Sequence, residues 1–433
     1  MKKITLLTVF ALLFVTSNLF AQQEKGIIGL KNWLNPWTEF KPNKVEYGQP
    51  TEILTGNISK DTKLYKRNIY LLLGDVFVID STTLAIEPGT VIMGDFKTKG
   101  SLTISRGSKI IAEGTATDPI IFTSNRTIKK PGDWGGIFIL GEAPTNKYGN
   151  EASLNYGLTP TEAKNISYGG DNVDSDSGSL RYVRIEFAGK RTKDYGNFNG
   201  LTLAGVGIET TINNIMVSYC KGNSYNVLGG QVNLEKLVSY KSNINDFEFN
   251  HGSQCNISNS LAIRSPYVSG TNVSKCLNIL AYDVLEEADF SKSQTTVNAQ
   301  NLSLINVSND LEYDIKVGLV NEAIYIDKDA SFSIDKSVIS GFNPAVILDD
   351  DIVLNTENLE KIQFTNTYFN NCNGNIFKKG VTNNYDLENW YGSRAFNNVY
   401  SKGSDYETFI DVSNTSRHPD YRIRISKIIA SKN

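Results

Sequence analysis

The sequence predicts an all-β chain wound as a parallel β-helix solenoid, with a cap at each end. Three observations point there. From residue 68 onward helical periodicity is nearly absent, and short runs rich in Ile, Val, Leu, Thr and Tyr are punctuated by Gly, Asn, Asp and Ser. That pattern is the signature of short strands and turns. Similar segments then recur: residues 212–219, 232–240, 257–264 and 273–282 share one form, and their last residues lie 21, 24 and 18 apart. A repeat of roughly 20 residues holding two or three short strands is one winding of a β-helix. Finally, 433 residues exceed one ordinary compact domain of ~100–200 residues, which a solenoid accommodates.

One winding cannot bury its own apolar side chains. Stacking windings at the inter-strand distance of ~4.8 Å pairs their backbones and closes a continuous core. Alternation then sends Tyr, Lys, Thr and Asn outward. A leucine-rich repeat needs helical halves and a strict leucine frame, and a propeller needs four strands per blade of ~40 residues; neither pattern appears.

The elements follow in order. Lys2 and Lys3, the apolar run 4–15 and Ser17-Asn18-Leu19-Phe20-Ala21 form the three parts of a secretory signal peptide, with cleavage expected after Ala21. The apolar run is short of the ~20 residues of a spanning helix, and no other uncharged run approaches that length. Residues 22–67, with Trp33, Trp37 and Phe40, are expected to cover the N-terminal end of the coil. The coil itself is read over 68–354, interrupted by a Gly-, Asn- and Ser-rich excursion at 143–176. Asn214, Asn259, Asn278 and Asn301 recur near turns and are expected to stack there, because Asn tolerates the left-handed region and bonds neighbouring backbone. Residues 355–433 keep strand-like runs such as Tyr421-Arg422-Ile423-Arg424-Ile425 and are read as the last coils and a C-terminal cap.

Composition narrows function. Lys+Arg 43 against Asp+Glu 46 gives a net charge of −3, so there is no basic field for nucleic acid. Removing Lys2 and Lys3 with the leader makes the chain more acidic. Two histidines argue against a His-based metal or acid–base site. Export permits disulfides among Cys220, Cys255, Cys276 and Cys372, but the sequence does not choose between bridges and small buried thiols. No nucleophile elbow, P-loop or dinucleotide fingerprint is present.

Few residues suggest a site. Trp134, in Gly132-Asp133-Trp134-Gly135-Gly136, suits either a sugar-stacking platform or a tightly packed corner, the corner being preferred. Asp171, Asp174 and Asp176 lie close together in a Gly-rich loop, a pattern that suits Ca²⁺ with its 6–8 oxygen ligands. The EF-hand frame fails, since its last ligand position holds Ile185. Asp246 and Glu248 alternate with Phe247 and Phe249, so the two acids are expected on one side of a strand. With Glu286 and Glu287 they supply the carboxylates from which a hydrolase pair would be built.

Several segments together carry a family likeness. They are Leu84-Ala85-Ile86-Glu87-Pro88-Gly89-Thr90-Val91, Gly107-Ser108-Lys109-Ile110-Ile111-Ala112-Glu113-Gly114, Pro119-Ile120-Ile121-Phe122-Thr123, the Trp134 motif, and Leu180-Arg181-Tyr182-Val183-Arg184-Ile185. In this order they resemble secreted right-handed parallel β-helix repeat proteins of Gram-negative bacteria, with a pectin-lyase-like fold. The resemblance spans roughly residues 50–310. It implies a right-handed coil and little about activity, since most members have no assigned one. Relatives tend to carry an acidic-aromatic run after the coil ending at Tyr219; here residues 221–230 hold no carboxylate. Lyases of this fold use Ca²⁺ with an Arg or Lys base. Arg264-Ser265-Pro266 is similar to their Arg-x-Pro motif, but the second Arg is replaced by Ser269. The Gly-His-Gly of polygalacturonases is also missing, since His251 lies in Asn250-His251-Gly252.

The reading is an exported, non-catalytic scaffold in the periplasm, on the outer surface or outside the cell, which binds a glycan or a partner protein. The rivals are a lyase or glycosidase acting on an acidic polysaccharide, and an accessory subunit of an outer-membrane receptor assembly.

Overall fold

The structure is a computed structural model. It describes residues 25–154, 157–193, 195–268, 274–413, 418–424 and 426–427. The expected signal peptide, residues 1–21, lies outside them.

Among the described residues one sheet of 29 strands, parallel throughout, forms the body. Its register resolves into three faces that each winding visits in turn. In one winding Gln231–Glu235 lies on the first face, Val238–Tyr240 on the second and Phe247–Asn250 on the third. The next winding repeats this with Gln254–Ser258, Leu261–Arg264 and Leu277–Ile279, each paired with its predecessor. Period-two alternation fills the interior. On the first face Val232 and Leu234 sit over Cys255 and Ile257, then Val297 and Ala299, then Phe332 and Ile334, all buried in one core. Their outward neighbours Asn233, Asn256, Asn298 and Ser333 hydrogen-bond in series at 2.9, 3.2 and 2.8 Å.

From Tyr182 onward the corner between the first and second faces turns on a single residue in the left-handed region. Tyr182, Asn214, Lys236, Asn259, Asn301, Lys336, Asn366 and Asn397 hold it, with φ between +46° and +56°. Asn is favoured there because its short side chain bonds locally. Thus Asn214, Asn259 and Asn301 occupy the expected turn column. Asn278 does not: it lies within the strand Leu277–Ile279 on the third face. The column continues to Asn397, whose Nδ2 donates to Oδ1 of Asn366 at 2.8 Å.

The N-terminal segment does not lie over the end of the coil. Residues 26–40 run lengthwise along the outside of the second face rather than over the end of the coil. Gly26 N donates to Lys336 O at 2.8 Å, Ile27 N to Ser303 Oγ at 3.0 Å and Ile28 N to Asn259 Oδ1 at 2.8 Å. Farther along, Trp37 meets Tyr182 edge-on at 5.9 Å. The reason is the outward chemistry of that face: Met216, Val238, Leu261, Ile263 and Ile305 are apolar and need a cover, which Ile27, Leu34, Trp37 and Phe40 supply. The antiparallel pair Phe409–Asp411 and Asp420–Ile423 joins the same cluster. The C-terminal end of the core is closed by the helix Tyr385–Tyr391, through Leu387 and Tyr391.

The excursion after Leu140 folds back over the third face. Its strands Glu151–Ser153 and Ser167–Gly169 pair, and Leu154, Leu158 and Tyr168 pack on Phe77, Phe138 and Leu140. All four cysteines are free and buried. Burial pushes the Cys372 thiol up to about 11. Among the described residues no helix is long and apolar enough to cross a membrane.

Candidate functional site

Turn length marks out the third face. From Tyr182 onward the corner between the first and second faces is a tight turn of at most two residues, and in the earlier windings it is four to six (65–68, 87–90, 114–119). The connections into the third face (187–200, 265–276, 307–323) and out of it (141–177, 280–295, 349–361) are the long ones. The third face is therefore the one flanked by the long loops. Its outward column runs Phe138, Thr202, Asn226, Glu248, Asn278, Tyr325 in register. Phe138 lies beneath the excursion. Beyond it the column turns polar.

A second amide column supports this face. Asn199, Asn223 and Asn245 each stand two residues before the first inward residue of a third-face strand. The Oδ1 of each accepts the backbone N–H of the next winding: Asn223 at 3.1 Å, Asn245 at 3.0 Å, Lys275 at 2.9 Å. Asn245 turns its Nδ2 to Glu248 Oε2 at 2.8 Å, and Asn278 donates to the same oxygen at 2.9 Å. Burial pushes the Glu248 carboxyl above the usual range, the nearby Asp283 charge adds to the rise, and the amides oppose it.

Asp283 stands beside this face with the opposite bias. Burial raises its carboxyl, but hydrogen bonding and charge from His251, the charge of Lys147 and the amide of Asn250 bring it below the usual range. His251 Nε2 lies 2.7 Å from Asp283 Oδ2, and its Nδ1 lies 3.0 Å from the Tyr168 hydroxyl. His251 thus ties the first excursion to the second. Further along, the Tyr325 hydroxyl bonds Asp349, and Lys275 sits over the Tyr325 ring at 5.3 Å while pairing with Glu322 at 3.3 Å. Two carboxyls on neighbouring windings with protonation pushed in opposite senses are the raw material of acid–base chemistry.

The residues singled out in the sequence fare differently. Trp134 is fully buried: its Nε1 donates to Glu186 O at 2.7 Å and its indole stacks on Phe122 at 6.3 Å. A Cβ on Gly94 would lie 2.3 Å from Trp134 Cβ, so the glycine is what admits the indole. Trp134 is a corner residue and offers no platform to a sugar. Asp246 and Glu248 do not share a side. The strand begins at Phe247, so Asp246 falls in the preceding corner and turns inward to Arg264 Nη1 at 3.0 Å and to Ser239 Oγ. Arg264, the residue of the lyase-like fragment, is consumed by this buried pair. Asp171, Asp174 and Asp176 do not converge. Asp176 pairs with Lys109 at 2.6 Å, Asp171 bonds Asn150, and Asp174 is exposed. Among the described residues no three His, Cys, Asp or Glu side chains gather as a metal site. Glu287 is tied to Lys147.

Asp283 and the column Asn199, Asn223, Asn245 escaped the sequence reading. The column had a visible signal, an Asn at one fixed offset before Leu201, Tyr225 and Phe247, spaced 24 and 22 residues. Asp283 had none, because a loop brings it to the face.

Residues 56–411 match the family described as the pectate-lyase-like β-helix domain. The chain belongs to that family. The right-handed parallel coil read from the sequence is the fold of this pectate-lyase-like protein. A comparison with curated proteins returned no match. Among solved structures, the crystal structure of the Dettilon tailspike protein is similar at 12% identity and a TM-score of 0.29, over 76% of this chain and 62% of that one.

Proposed function

We propose that this pectate-lyase-like protein is an exported, non-catalytic scaffold that binds a glycan on the third face. The observation that carries the reading is Glu248, a half-buried carboxylate held by Asn245 and Asn278 on the face flanked by the longest loops. Fixed carboxylate and amide groups of this kind suit sugar hydroxyls, which both donate and accept. Arg264 lies inside the coil and Lys275 is engaged by Glu322, which leaves lyase chemistry without an evident base. Export rests on the leader at residues 1–21, and the N-terminal sequence of protein recovered outside the cytoplasm tests it: a chain that begins at Met1 there refutes cleavage.

The binding test is retardation in gels containing soluble polysaccharides. Wild type is expected to be slowed by at least one polymer, and Glu248→Gln to be slowed about tenfold less, the loss of one charge-assisted hydrogen-bond set. Unchanged retardation of the variant removes the third face from the reading. Co-purification with an envelope protein, without retention by any glycan, would favour the scaffold or receptor-subunit alternatives.

Burial pushes the Glu248 carboxyl up while His251 and Lys147 hold that of Asp283 down on the neighbouring winding, which favours a second reading, a glycoside hydrolase with Glu248 as acid and Asp283 as base. New reducing ends that vanish in both Glu248→Gln and Asp283→Asn would establish it. Ultraviolet-absorbing unsaturated uronates would instead establish a lyase.

A further inference from the structure

A groove of about 390 Å³ opens where the third face turns into the first, between the excursions 280–295 and 349–361. That volume lies within the range of small-ligand sites, ~300–1,000 Å³. Its floor is the start of the first-face strands, at Ser331 and Ile362. One wall carries Phe290, half exposed, whose ring is fixed by Tyr282 at 5.7 Å and 77°. The opposite wall carries Val353, 61% exposed. Phe290 and Val353 thus offer one exposed apolar contact on each wall of the groove.

The polar groups of the groove define the partner's charge. Lys328 is paired with Asp351 at 3.1 Å, and Lys361 with Glu357 at 3.4 Å. Asp327 and Asp329 also line the groove. Asp351 is held in the Lys328 pair and Asp327 accepts from Ala281 N at 3.3 Å, and with Asp329 the three lining carboxylates outnumber the two lysines by one. An anionic uronate would meet like charge there. A hydroxyl-bearing ring without charge would give its C–H face to Phe290 and its hydroxyl protons to Asp329 and to Asn358, the amide on the far wall.

We propose that this groove holds a pyranose ring of a neutral polysaccharide, beside the third face. The inference rests on the glycan-binding reading and names its ligand class. It also departs from the acidic polysaccharide expected from the sequence. Asp327 joins the two places physically: it follows the third-face strand Ile324–Ile326, one residue beyond the end of the column that holds Tyr325.

The test uses the full chain in gels containing a mixed-linkage β-glucan, a galactomannan or an arabinoxylan, with polygalacturonate as the anionic control. At least one neutral polymer is expected to retard wild type, and polygalacturonate not. Phe290→Ala is expected to weaken that retardation about tenfold and Phe290→Trp to preserve it, since stacking needs a ring and not this ring. Phe290 is surface-exposed, and an unchanged melting temperature in both variants separates binding from folding. Retardation that survives Phe290→Ala but falls in Glu248→Gln overturns the groove and leaves the third face. Retention by polygalacturonate alone overturns the neutral assignment. No retention by any polymer sinks both.

Discussion

The second and third faces are both built from short parallel strands, yet one turns apolar side chains outward under a strap of the chain and the other carries an outward polar row flanked by long loops. The difference lies in the residues that point out. On the second face Met216, Val238, Leu261 and Ile305 continue the apolar chemistry of the core, and the N-terminal strap and the C-terminal strand pair bury them. On the third face the corresponding row is Asn226, Glu248, Asn278 and Tyr325, polar groups of which Asn226 and Asn278 are buried and which need hydrogen-bond partners rather than an apolar cover. The choice of outward residue alone thus makes one face a packing surface and leaves the other polar.

This contrast can be broken by substitution. Trp37→Ala removes the largest buried ring of the strap and is expected to cost about 3–5 kcal/mol in thermal or denaturant unfolding. A loss below about 1 kcal/mol would mean that the strap is not part of the cooperative fold. Arg264→Met leaves Asp246 charged and buried, an expected cost of about 3 kcal/mol. The double variant with Asp246→Leu should recover most of it, which a surface pair would not do. On the third face, Glu248→Gln is expected to change stability by no more than about 0.5 kcal/mol while weakening glycan retention. Equal damage to stability and binding would erase the distinction between the faces.

Acid sharpens the comparison. Asp283 has a depressed folded-state value, and so does Asp75, where the Lys190 pair at 2.7 Å and neighbouring hydrogen bonds outweigh burial. A carboxyl lowered on folding adds stability that is complete above its unfolded value, about pH 4, and is lost as pH falls through the folded value. Protection of amides in the 141–177 excursion should fall in that acid window before that of the strap. Asp283→Asn should remove this early step. A small effect is expected at the first-face ladder, where Asn256→Ala deletes exposed amide bonds and should cost about 0.5–1 kcal/mol.

Much of the coil was legible because its cause is local and repeated. Residues 212–219, 232–240 and 257–264 show the same inward pattern, and Asn214, Asn259 and Asn301 mark the same corner. Asn278 was misread because an Asn inside a three-residue strand looks like an Asn in a turn. Asp246 and Glu248 were paired by alternation, which holds only within a strand, and the strand starts one residue after Asp246. The glycines around Trp134 left a corner and a sugar platform open, because they do not state what the indole touches; the structure buries it against Phe122.

The sequence by itself determined the winding, since inward aliphatics once per turn dictate stacking whatever the distant residues do. Only the tertiary structure decided which outer surface stays open. The strap crosses from Lys336 back to Tyr182, and Asp283 reaches Glu248's neighbourhood through a loop. Contacts between residues hundreds of positions apart leave no periodic trace in the chain, so their energy appears only once the coil exists to bring them together.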